Sequence, residues 1–257
     1  IDTANGSIDV GVNATLDLAG GVLDAGGGTF NLTTGTVLTV NDGQTVVDSD
    51  TYLSGTGTLD LAGTGALTLA GNFGLYPGNA ELTLSGAITI EGATGGEGAP
   101  TFTIDDGRTL TLDNDTVADT VNLSVDGILN IAGTGTTIAA ATNVNAPNGV
   151  FNVEPGATVT LTGVLDNNDG VINVAAGGIL ILDGANIENT GIITGEGTIQ
   201  LANGVSSIVN GGVRHPATLL RRDSTELLVG ERVISEKTSH AMRRLLRLVV
   251  EKGTGRN

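Results

Sequence analysis

The chain has 257 residues, of which 41 are glycine; aromatics make up 2%, and there is no tryptophan and no cysteine. This composition excludes disulfides, thiolate metal sites and cysteine nucleophiles, while a 39% hydrophobic fraction and mean hydropathy of +0.20 argue against disorder. Charge is split: residues 1–212 hold 23 acids and one base, Arg108 (net −22), and residues 213–257 hold 5 acids and 10 bases (net +5), summing to −17.

From the N-terminus, one spacing recurs seven times in the first 182 residues, two apolar-alternating strands separated by five residues. It runs Ile8–Leu18, Phe30–Val40, Leu59–Leu69 and Phe102–Leu112, then Val121–Ile131, Phe151–Leu161 and Ile172–Leu182. Strict alternation puts one side of each strand into a core. The intervening residues, rich in Gly and Asn, turn the chain. Gly149 opens GVFNV, Gly170 opens GVINV and Gly191 opens GIITG, a period of 21, and Gly127 opens GILNI 22 residues before Gly149. A fixed period near 20 residues with short strands predicts a solenoid, here a parallel β-helix. The predicted class is therefore all-β, with about nine rungs stacked about 4.8 Å apart over residues 1–198. Gly and Asn are expected at corners with φ > 0.

The solenoid phrases GTGTLDLAG (55–63), GTGALTLAGN (63–72) and NTGIITGEGTIQLANG (189–204) resemble passenger repeats of autotransporter and filamentous-haemagglutinin-type surface proteins, over about residues 1–204. That resemblance implies a right-handed parallel β-helix, displayed at a bacterial surface or secreted, with a structural or adhesive role. It also implies a host or cell-surface receptor or glycan as partner. The chain opens on Ile1 and carries no signal peptide, which is read as a processed or excised piece. No run of about 18 apolar residues is present to span a membrane as a helix.

After the repeats the period changes. Leu201, Val205, Ile208 and Val209 fall on one helical face, and Met242, Leu245, Leu246 and Val249 on another. Ser235 serves as N-cap and Gly253 as C-terminal stop of this second helix. Residues 199–257 are thus read as a short helical tail that caps the last rung. The strings 200–223 and 230–256 resemble part of the transpeptidase domain of class B penicillin-binding proteins, the septal peptidoglycan cross-linking family. IQLANG (199–204) suits either pattern, closing a rung or opening the transpeptidase helix. Under the transpeptidase alternative the location is periplasmic and the partner peptidoglycan. The three motifs of that family, S-x-x-K, S-x-N and K-T-G, are absent; Ser235, followed by Glu236 and Lys237, has the wrong spacing. An acyl-enzyme needs both nucleophile and base. No catalytic, cofactor-binding or metal residue is therefore assigned, and the chain is read as a non-enzyme.

Other chemistry was weighed residue by residue. Asp105/Asp106, Asp113/Asp115/Asp119 and Asp166/Asp169 are carboxylate candidates for hydrolysis, but their turn-like strings read as solvated corners. Arg108 is the one base available for lyase chemistry. GGEGAP (95–100) opens like a calcium-binding nonapeptide repeat but lacks its Asp, and DNDTVAD (113–119) offers weak oxygen ligands. His215 and His240 lack a carboxylate at ligand spacing. Arg243, Arg244 and Arg247 read as the wet side of the tail helix, and a rod of net −22 repels nucleic acid. Threonine pairs at 109–111 and 158–160 do not recur on every rung, so an ice-binding array is a weak reading.

Overall fold

Alternation of apolar and polar residues becomes, in the computed structural model, a parallel β-solenoid of about eight turns. The structure describes residues 6–24, 27–47, 51–94, 98–203, 207–209, 213–214, 231–232, 237–238 and 244. Each turn carries three strands, so the solenoid has three faces. The first face begins with Ser7–Val10, Thr29–Leu32 and Tyr52–Gly55, and resumes from Phe73–Leu75 through Thr101–Ile104 to Asn186–Asn189. The second runs through Thr15–Ala19 and Val37–Asn41, then from Thr109–Asp113 through Ile128–Ala132, Val150–Val153 and Val171–Val174 to Ile192–Thr194. The third runs from Val22–Asp24 to Thr198–Leu201. Two 12-residue strands, Thr58–Leu69 and Glu81–Gly92, bend round a corner and serve the second and third faces together.

The repeat found in the sequence is the core. Of its apolar positions, all are buried except Ile8, Leu16 and Leu18 in the first turn, which pack half-buried against the same cluster. Fully burying one such side chain contributes roughly 1.5–3 kcal/mol, and every added turn extends one continuous apolar column. Backbone groups are satisfied between turns, as in Val150 N–H to the carbonyl of Gly127 and Val171 N–H to that of Gly149.

The glycines that open each period, such as Gly127 and Gly149, work by closeness of backbones. A Cβ on Gly149 would overlap the carbonyl oxygens of Val125 and Asn145, and one on Gly127 those of Asp105 and Arg108. Positive φ falls, as expected, at corner glycines such as Gly35, Gly107, Gly156 and Gly177, and also at Asn13, Asp42, Asn114 and Asp169. These corners also bond the next turn, beyond their own backbone: Asp42 Oδ1 accepts from Thr64 N–H at 2.8 Å, and Asn114 Oδ1 from Gly135 N–H at 2.9 Å.

One interval breaks the period. Paired residues of neighbouring turns are mostly 19 to 23 apart in sequence, as Thr109 with Ile128 and Thr29 with Tyr52. Between residues 73–92 and 101–117 the separation rises to 29 for Phe73 and Phe102, and to 27 for Thr89 and Thr116. The six to eight added residues amount to about a third of a turn and leave the order of the three faces unchanged.

The end of the repeats also differs from expectation. Thr198–Leu201 is a strand paired with Ile179–Leu182, and Ser207–Val209 is another strand. The helical face drawn through Leu201, Val205, Ile208 and Val209 therefore does not form. Ile199 alternates with its neighbours, and the exposed edge of the preceding strand offers it a ladder that outweighs the local helical spacing. The chain divides into units Ile1–Ser207 and Ile208–Asn257, so residues 199–207 belong to the solenoid rather than to the tail. In the second unit Val213–Arg214 and Glu231–Arg232 pair as antiparallel strands, which the sequence reading missed. Lys237, Thr238 and Arg244 are helical; the rest of the predicted tail helix and its capping of the last rung lie outside the described residues.

Candidate functional site

On the second face, between Thr109 and Thr194, the outward-pointing residues form two columns along the solenoid. One is aliphatic: Ile128 stacks on Val150, Val150 on Val171, and Val171 on Ile192. Ile192 is 60% exposed and Ile128 38%. The other column is asparagine. Asn173 Nδ2 donates to Asn152 Oδ1 at 2.7 Å, and Asn152 Nδ2 donates to Asn130 Oδ1 at 2.9 Å. The amides are oriented by their neighbours, so the column is a fixed row of donors and acceptors. No outward position of the strands from Ile128 to Thr194 on this face carries a charge.

The third-face strands of the same turns, from Thr116–Val117 to Thr198–Leu201, carry no charge either. The acids of the same turns lie elsewhere: Asp166 stacks beside Glu188 on the first face, and Asp126 sits at a corner, where it accepts from Asn145 Nδ2 at 3.2 Å. In the earlier turns the first face carries Asp9, which accepts from Asn31 Nδ2 at 2.9 Å and from Ser7 Oγ at 2.9 Å; these two hydrogen bonds hold its carboxyl below the ordinary value. The signal for the neutral face was present in GILNI, GVFNV and GVINV, whose Asn always takes the outward position between two inward ones. Read only as a period, those phrases hid it.

The carboxylate candidates disperse. Asp106, Asp119 and Asp169 are exposed corner residues, Asp113 is exposed at the end of the strand Thr109–Asp113, and Asp105 is half-buried. Asp166 is a correction: LDNN (165–168) is a strand, and Asp166 points outward from it between Asn143 and Glu188. Asp115 is a second correction, being fully buried rather than solvated. Its Oδ1 accepts from Ile88 N–H and its Oδ2 from Asp113 N–H, each at 2.8 Å. Burial pushes its carboxyl up to about 6, against the pull of those two amides, and Asp113 adds a repulsion.

Arg108 is likewise buried, at 8% exposure. Its guanidinium donates to the carbonyls of Asn79 at 3.1 Å and Ala80 at 2.9 Å, and reaches Glu81 Oε1 at 3.3 Å. These bonds engage it within the fold. Among the described residues no group of three or more His, Asp or Glu gathers as a metal site; His215, His240, Arg243 and Arg247 lie outside them, as do residues 95–97. No described helix is long and apolar enough to cross a membrane. A shallow notch of about 280 Å³ between Asp17 and Leu23 lines the first turn and holds no constellation of reactive groups. Compared with known protein families, curated proteins and solved structures, the chain matches none.

Proposed function

We propose that this chain is a non-enzymatic β-solenoid with a structural or adhesive role at a bacterial surface, and that the neutral second face is its contact surface. The observation that supports this is the pairing of an aliphatic column with a hydrogen-bonded asparagine column on a face without charge. A net charge of −22 over residues 1–212 repels the anionic surfaces of cells. A charge-free strip lets a receptor or neutral glycan approach without desolvating carboxylates, and the fixed amides give it directional hydrogen bonds. Repetition along the axis multiplies weak contacts, which is the physical advantage of a rod as an adhesin. The partner is thus a host or cell-surface receptor or glycan, and the site of action is extracellular.

The test is adhesion to host cells and to arrayed glycans by the intact chain and by the double variant Val150→Lys, Val171→Lys. Loss of binding with an unchanged β-sheet circular dichroism spectrum is expected. Undiminished binding by the double variant overturns the assignment of the face. A fluorescent penicillin checks the competing reading, a relative of the peptidoglycan transpeptidases; a covalently labelled band, suppressed by unlabelled penicillin, overturns the non-enzymatic reading.

A further inference from the structure

Only two charged side chains are buried among the described residues, Arg108 and Asp115. Both lie at the one interval where the period is stretched, between residues 73–92 and 101–117. Here the second face loses its ladder. The strand Glu81–Gly92 pairs onward only through Thr89 and Ile90 on the third face, and Thr109–Asp113 pairs only with Ile128–Ala132. The first face keeps three paired positions, Phe73 to Leu75 with Phe102 to Ile104, and stacks the two phenylalanine rings 5.7 Å apart. Side chains stand in for the missing backbone bonds. The Arg108 guanidinium takes the carbonyls of Asn79 and Ala80 at one edge of the gap, and Asp115 takes the amide of Ile88 at the other.

We propose that this interval is a pH-sensitive joint of the solenoid, clasped by Arg108 and Asp115, at which the turns before residue 93 and after residue 100 separate more readily than those within residues 101–201. A joint held by two buried ionisable groups differs from a ladder held by amides, because one of those groups, Asp115, titrates. The charged groups around Asp115 are Asp113 on its own segment and Glu81 and Glu91 on the strand packed below; Thr136–Ile138 above brings none. All three are acidic, and Glu81 is engaged by Arg108, so no cation offsets an ionised Asp115. Its carboxyl titrates at about 6 when the joint is closed and at 3.8 in water. The closed joint therefore binds its proton more tightly than the open one does. Closure is fully favoured below the free value, and that advantage is lost as pH rises through about 6. The closing equilibrium should fall by about 100-fold between pH 3.5 and pH 7.5.

Hydrogen exchange of the full chain, read by mass spectrometry and corrected for the intrinsic pH dependence of exchange, tests this. Peptides covering 81–92 and 109–117 should lose protection by about 10- to 100-fold from pH 4.5 to pH 7.5, while 150–182 changes little. Asp115→Asn, which keeps an acceptor and cannot ionise, should remove the pH response of the joint peptides. Arg108→Gln should lower their protection at both pH values and leave the response in place. A pH response equal in 81–117 and 150–182 overturns the proposal, and so does a response that persists in Asp115→Asn. If that variant does not fold, the contrast between the two regions in the unmodified chain decides the matter alone.

Discussion

Residues 101–201 and the interval just before them are built from the same strands, yet are held together differently. Above the interval, Val150–Val153 and Val171–Val174 meet four residues against four, with Phe151 on Ile172 inside and Asn152 on Asn173 outside. At the interval, two paired residues remain on the third face and a guanidinium fills in on the second. The contrast shows what repetition contributes. In residues 101–201, where the period is kept, backbone ladder, apolar column and outward column stack together on all three faces. When six or so residues are added, the core continues, since Phe73 still meets Phe102, but the ladder on one face does not. Two charged groups buried apart from each other are a poor substitute for amide bonds, because each gives up its hydration to make its contacts.

Four substitutions in the regular region sharpen that comparison. The largest effect is expected for Val159→Asp, which places an unpaired carboxylate in the interior at a fully buried position. A loss of more than about 4 kcal/mol is expected in urea unfolding. A small loss would mean that the regular turns relax as easily as the joint. Gly149→Ala comes next: its methyl meets carbonyl oxygens of two strands, with a cost of about 1–3 kcal/mol. Thermal denaturation decides it, and an unchanged midpoint would show that the glycine column is not a contact of backbones.

Asn152→Ala is expected to be milder, about 1 kcal/mol, because it removes both hydrogen bonds of an outward amide that water can partly replace. Its chemical-denaturation midpoint should fall with no change of slope. Asp166→Ala should stay within about 0.5 kcal/mol, since the residue points outward beside Glu188. A larger loss in the same urea titration would reveal that the acidic column contributes to holding turns together.

Much of this was legible in the sequence, for a physical reason. Alternation such as Ile172, Val174, Leu180 and Leu182 reports burial directly, and in a solenoid every turn must repeat it. What alternation does not report is which corner lies between two strands. The spacing at Phe102–Leu112 spans the first and second faces, whereas the same spacing at Phe151–Leu161 spans the second and third. The outward columns were invisible until register was known, so Asn130, Asn152 and Asn173 read as incidental polar residues. Asp115 looked like its exposed neighbours Asp113 and Asn114, and only the stretched interval places it over Ile88. Leu201 misled because a four-residue strand and a helical turn share the same apolar spacing over so short a run.

The glycine column sets the unit in which the length of this molecule can change. Gly127 and Gly149 both precede a second-face strand and both close on the turn below. Excising residues 128–149 as a block would bring Val150 directly after Gly127. Phe151 would then rest on Leu110, and Thr158–Leu161 would follow Thr116–Val117 on the third face. The buried pair Asn167 and Asn189, hydrogen-bonded at 2.5 Å, would remain intact in the turns beyond. Removing eleven residues instead would leave the same strands facing the wrong way. Such a chain can shorten or grow only in whole turns, each worth about 4.8 Å of reach.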